Sequence, residues 1–88
     1  MKLTMFYLPL CPHCLLASRL LEQLKAEEPR YADIQVEKID ESKERELAGS
    51  YDYWYVPCFY LGTEKLHEGH AEKGDIRRVL EAALTARE

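Results

Sequence analysis

The chain has no run of Lys or Arg, no long apolar stretch, four glycines, three cysteines and one tryptophan. Each scarcity excludes a class. Without a basic tract nothing tracks phosphates, and sixteen acidic residues against twelve basic ones give a formal charge of −4. Nucleic acid is therefore not an expected partner. A bilayer span needs roughly 20 consecutive apolar residues, and no window approaches that, so no membrane partner is expected either. Three cysteines, two of them three residues apart, cannot staple a secreted scaffold, so their role is chemical and the expected compartment is the reducing cytoplasm. The opening Met1 to Leu10 resembles a signal peptide only superficially. Its apolar stretch is short, and Cys11-Pro12-His13-Cys14 stands where a small-residue cleavage site would be.

What remains is a composition, 47% hydrophobic and 32% charged, that folds as one domain over residues 1–88 around one core. No repeat, linker or low-complexity tract interrupts it, and a monomer is expected. Residues 2 to 8 mix β-branched, aromatic and aliphatic types without helical period, and Pro9 ends them, which predicts a buried strand. From Ala17, the residues Leu20, Leu21 and Leu24 recur at helical spacing opposite Ser18, Arg19, Glu22 and Gln23, and Pro29 closes the segment. A helix beginning near Pro12 follows from this. Residues 33 to 40, with Ile34, Val36 and Ile39, predict a second strand. Residues 42 to 50 predict a short polar helix that buries Leu47 and Ala48.

Cys58 to Leu61 and Lys65 to Glu68 read as an antiparallel hairpin around Gly62-Thr63, with Leu66 inward. Ile76, Val79, Leu80, Ala83 and Leu84 give a final amphipathic helix, with Asp75 placed to cap it or complement its dipole. The order βαβαββα makes an α/β fold: a four-stranded mixed sheet, parallel at the opening β-α-β unit and antiparallel at the closing hairpin, with three helices.

Cys11 and Cys14 bracket the first turn of the first helix. Pro12 sits where the backbone donor has no helical partner in any case. Cys14 lies three residues before Ala17, on the apolar stripe, whereas Cys11 projects beyond the helix end. Unpaired N–H groups and the positive end of the helix dipole favour thiolate at Cys11, the expected nucleophile. Cys14 is spaced to resolve a mixed disulfide on Cys11. His13, between them, would add to thiolate stability if it were protonated or donated a hydrogen bond toward Cys11.

Cys11-Pro12-His13-Cys14 after a first strand, followed by Val56-Pro57 before a hairpin and a last helix, resembles the thioredoxin superfamily, specifically its small glutaredoxin-like members. The resemblance covers essentially the whole chain. It implies a thioredoxin-like fold and thiol–disulfide oxidoreductase activity. It also implies that Pro57 is the family's cis-proline beside the cysteines and that the Val56 backbone pairs with an extended substrate segment. Two departures matter for glutathione, which stays possible as a reductant although its usual binding residues are incomplete. Leu8 stands where glutaredoxins usually carry Lys or Arg, and Glu68-Gly69-His70-Ala71-Glu72 offers one glycine where two are usual. Lys43 and Arg45 remain available to a carboxylate. The Trp before the cysteine motif in thioredoxins is replaced by Leu10, and the dipeptide Pro12-His13 resembles that of the oxidase DsbA. By that analogy the reduction potential is expected above the thioredoxin value of about −270 mV, at roughly −150 to −230 mV.

Trp54 and Tyr55 precede Val56-Pro57 and are expected beside Cys11, where they form either an apolar docking surface for substrate or ordinary packing. Tyr51 and Tyr53 lean to the core. Cys58 is either a small buried hydrophobe or a third thiol. His67 and His70 could be combined on paper with Cys11 and Cys14 as zinc ligands, but their separation is unlike that of a zinc finger, and no metal site is expected. The expected function is exchange of a Cys11–Cys14 disulfide with protein or small-molecule thiols. No cofactor is bound, and a flavoprotein reductase or glutathione restores the dithiol. The alternative is carriage of a soft metal or an iron–sulfur cluster on the same thiolates.

Overall fold

A computed structural model describes residues 2–86 as a small α/β fold: a four-stranded mixed sheet and three helices. The elements run β1 (Leu3–Tyr7), α1 (Pro12–Glu27), a 3-10 turn (Pro29–Tyr31), β2 (Val36–Asp40), α2 (Arg45–Gly49), β3 (Cys58–Leu61), β4 (Glu64–Glu68) and α3 (Lys73–Ala86). The sheet order is β2-β1-β3-β4. β1 and β2 are parallel, with Tyr7 opposite Asp40, while β3 is antiparallel to β1, with Cys58 opposite Phe6. A parallel neighbour requires a crossover rather than a tight turn, and α1 provides it.

Strand alternation divides the side chains between two cores. Leu3 and Met5 of β1 with Phe59 and Leu61 of β3 join Ala17, Leu21 and Leu24 of α1 and Ile76, Val79, Leu80 and Ala83 of α3. Phe6, Cys58 and Tyr60 face the other way, onto Ile39, Ala48, Tyr51, Tyr53 and Val56. Leu66 is partly buried against the first core at a bulge, where the pairing jumps from Phe59–His67 to Tyr60–Lys65. Asp75 accepts a hydrogen bond from the Glu72 backbone N–H at 2.8 Å, the reciprocal half of a capping box at the start of α3.

Two expectations are corrected. The second strand begins at Val36 rather than residue 33, because Tyr31 and Ile34 are drawn into the first core while the chain between them is still turning. The second helix is cut to Arg45–Gly49. The Asp40 carbonyl accepts from the N–H groups of Lys43 and Glu44, and the Asp40 carboxylate binds Ser42, so a turn replaces the start of a helix. Little more than one turn has a single buried position, which Ala48 fills. Leu47, expected to be buried, is 41% exposed.

Candidate active site

The strand directions collect one set of chain ends. β1 and β2 finish where β3 begins and β4 finishes, so four segments meet at that edge: residues 8–11, Glu41–Ser42, Val56–Pro57 and Gly69–His70. Cys11, Val56 and Pro57 lie on these segments, Pro12, Tyr55 and Cys58 directly adjoin them in sequence, and Cys14 and Trp54 are within three residues of them. The Asp40 carboxylate fixes Ser42 through its N–H at 2.9 Å and its hydroxyl at 2.6 Å, and Ser42 lines a groove of about 540 Å³ with Leu8, Pro9, Leu10 and Cys11. Those two bonds, the hydroxyl's first, hold the Asp40 carboxyl below its usual range despite opposing burial.

Cys11 is the N-cap of α1, in extended backbone, and Pro12 opens the helix. Partial burial alone would raise the Cys11 thiol. The backbone N–H of Cys14, the Cys14 thiol and the backbone N–H of His13 outweigh it and hold Cys11 below the ordinary thiol value. Cys14 is 2% exposed, and burial pushes it up to about 12, with the charge and hydrogen bonding of Cys11 adding to the effect. Two sulfurs three residues apart are thus driven in opposite directions by their places on one helical turn.

His13 contributes to Cys11 through its backbone. Its ring turns elsewhere: His13 Nδ1 lies 2.9 Å from His70 Nδ1, the rings crossing at 84°. His70 Nε2 meets the Glu72 carboxylate, and the His70 carbonyl accepts from His67 Nε2 at 2.9 Å. Gly69 makes this approach possible. Its φ of +89° lies in the left-handed region, and its N–H donates to the Pro57 carbonyl at 2.8 Å, tying the end of β4 to the start of β3. Among the described residues no group of three or more His, Cys, Asp and Glu side chains is arranged around a common metal position.

Pro57 is buried and follows a cis peptide bond from Val56. Trp54 and Tyr55 are 85% and 70% exposed, and their backbone N–H groups converge on the Glu68 carboxylate, which also pairs with Lys65 at 2.7 Å. Lys65 first, then those two N–H groups, bring the Glu68 carboxyl down to about 2. Trp54 lines a second groove, about 360 Å³, with Glu41, Arg45, Ala48, Gly49, Tyr51 and Tyr53. Glu41 borders this groove and its neighbour Ser42 the cysteine groove. Arg45 is in the Trp54 groove, whereas Lys43 lies in a separate one with Tyr7 and Leu47. Cys58 is fully buried, and its thiol is pushed up to about 12 by burial, then by the Glu68 charge.

No family model matches the chain, and no curated protein matches it. Among solved structures it is similar to one described as a malarial protein, with a TM-score of 0.68 and 17% identity. The match covers 94% of this chain and 96% of that one, so the architecture is shared from end to end. Sequence reasoning placed Cys11, Cys14 and the Val56–Pro57 turn at one site. Glu68, His70 and Glu72 were read as part of an incomplete glutathione segment, and His70 also as a zinc ligand on paper; the contacts of Glu68 with Trp54 and Tyr55 and of His70 with His13 were missed. Gly69 after a strand was the available signal that the chain turns back there.

Proposed function

We propose that this protein is a thiol–disulfide oxidoreductase of thioredoxin-like fold, related in kind to the small glutaredoxins. The observation that carries the reading is the division between its two neighbouring thiols: Cys11 accessible and held below the ordinary value, Cys14 buried and pushed up to about 12. An attacking sulfur must be a thiolate with access to substrate. A resolving sulfur is better kept protonated until the mixed disulfide has formed.

In the forward direction the Cys11 thiolate attacks one sulfur of a substrate disulfide. The substrate S–S bond breaks, a Cys11–substrate S–S bond forms, and the first substrate sulfur leaves as thiolate. With Cys11 now in a disulfide, its charge no longer opposes ionisation of Cys14. Cys14 gives up its proton and attacks Cys11 Sγ, forming the Cys11–Cys14 disulfide and expelling the second substrate thiolate. The protein gives the substrate two electrons and releases the one proton that Cys14 carried, and water supplies any further proton the substrate thiolates take up. Two molecules of glutathione, or a flavoprotein reductase, return the dithiol. Val56 and Pro57 line the approach for an extended peptide, and Trp54 and Tyr55 offer it apolar contact, which favours protein disulfides as substrates. Leu8, where a cation would hold a glutathione carboxylate, forms part of the groove wall instead. The fully buried Cys58 stays outside the cycle.

The test is a redox titration of metal-free protein in glutathione buffers, followed by Trp54 fluorescence, with the Cys11–Cys14 bond identified by mass spectrometry. The expected result is a reversible two-electron transition at roughly −150 to −230 mV. Absence of that disulfide, with stoichiometric soft-metal or cluster binding protecting both thiols, would replace this reading with a carrier function.

A further inference from the structure

The ring of His13 has a partner that the exchange chemistry does not use. At 2.9 Å, one of the two facing Nδ1 atoms of His13 and His70 carries the hydrogen and the other accepts it, because two bare lone pairs repel. On the far side of His70, Nε2 meets a carboxylate oxygen of Glu72, which as a carboxylate only accepts, so this nitrogen carries a hydrogen. The His70 carbonyl is tied to His67 Nε2, and the preceding Gly69 to the Pro57 carbonyl. His13 Nδ1 is therefore engaged by His70, and the His13 ring makes no hydrogen bond to Cys11; two backbone N–H groups and the Cys14 thiol, rather than that ring, hold the Cys11 thiol below its ordinary value.

We infer that His70, held by Glu72, is a positioning residue that keeps the His13 ring off the Cys11 sulfur and thereby limits how far the thiolate is favoured. The inference rests on the dithiol reading of Cys11 and Cys14. Released from His70, a His13 ring two residues beyond Cys11 on the first helical turn can donate an N–H to the thiolate. A more stable thiolate makes the disulfide a stronger oxidant. His70 would thus set the poise of the pair through a side chain it touches, without touching sulfur. Other ionisable groups surround this end of the sheet. Glu41 on the β2–α2 connection acts on Cys14; His67 and Glu68 lie on β4; Asp75 on α3 is occupied by the Glu72 N–H and by Arg78.

Two readouts on the full chain test the inference: the pH dependence of Cys11 alkylation and the midpoint of the Cys11–Cys14 couple in glutathione buffers. They are compared in wild type, His70→Ala, His13→Ala, the double variant and His70→Asn. The His70 side chain is 45% exposed, so its removal leaves the core packing in place. In an exposed setting, His70→Ala is expected to raise the acid dissociation constant of Cys11 by about two- to fivefold. It should also move the midpoint in the oxidising direction. In the His13→Ala background the same change is expected to do nothing. His70→Asn, whose amide still offers His13 a partner, should remain close to wild type. A Cys11 dissociation constant that is unchanged or lowered by His70→Ala, or a shift of equal size without His13, overturns the inference and leaves the dithiol reading standing. If wild type forms no reversible Cys11–Cys14 disulfide, both fail together.

Discussion

On one face of the sheet, α1 and α3 lay aliphatic stripes against Leu3, Met5, Phe59 and Leu61. On the other, a helix of little more than one turn and the loop from Tyr51 to Val56 do the covering, with aromatic rings. Tyr53 stacks on Phe6 with centroids 5.0 Å apart, Tyr51 tilts against the same ring at 4.7 Å, and Tyr60 meets Tyr51 edge-on at 4.8 Å. The hydroxyls then anchor the loop: Tyr53 donates to Glu41 at 2.7 Å and Tyr60 to the Asp52 carbonyl at 2.6 Å. The first face depends on filling volume. The second depends on ring orientation and a handful of polar anchors, and it carries Trp54, Tyr55, Val56 and Pro57. On the proposed function, stability and substrate contact are invested largely in opposite faces, and damage to one should spare the other.

The largest blow to that contrast falls on the aliphatic face. Leu80→Ala, at a fully buried position, is expected to cost about 2–5 kcal/mol in urea unfolding, with the chemistry of Cys11 intact in the protein that remains folded. Tyr53→Phe keeps the ring and deletes the bond to Glu41. About 1–2 kcal/mol should be lost, with hydrogen exchange increasing in residues 51–56 before it does in α1 or α3. A uniform increase across both faces would show that the two are one cooperative unit.

A smaller and more local effect concerns Glu68. Its folded carboxyl sits near 2, below the unfolded value of about 4.3, so the stabilisation it gives is complete above that unfolded value and is lost as pH falls from there toward 2. Protection of the Trp54 and Tyr55 amides, taken relative to their intrinsic exchange rate at each pH, should fall through that window in wild type. Glu68→Gln should lower that protection at neutral pH and abolish its pH dependence. The smallest change in stability belongs to Trp54→Ala, within about 0.5 kcal/mol at so exposed a site. Its effect is expected in turnover: a slower reaction with a protein disulfide and an unchanged one with a small disulfide. Equal rates on the protein disulfide would remove Trp54 from the docking surface.

The same contrast explains what could be read from the chain alone. α1 and α3 were legible because their stripes repeat at helical period, and the β3 boundaries because Pro57 and Gly62 bracket a short apolar run. The opposite behaviour of Cys11 and Cys14 followed from three-residue spacing across a helix start. Contacts that couple distant positions gave no such signal. His13 meets His70 across 57 residues, and Glu68 captures the N–H of Trp54 across 14. No local pattern encodes either. α2 was overestimated for a related reason: the Asp40 carboxylate and carbonyl compete for the N–H groups that a longer helix would leave free, and Leu47 is left outside.

The order of the strands has a further consequence, for crowded solutions. β1 and β3, whose sequences Leu-Thr-Met-Phe-Tyr and Cys-Phe-Tyr-Leu are the most prone to pair with copies of themselves, occupy the centre of the sheet. The two rims are Val-Glu-Lys-Ile-Asp and Glu-Lys-Leu-His-Glu, where ionised side chains and a bulge discourage a neighbouring molecule from docking edge to edge. Resistance to aggregation thus lasts as long as the native sheet does, and a Leu80→Ala chain, unfolding more often, should precipitate at concentrations wild type tolerates.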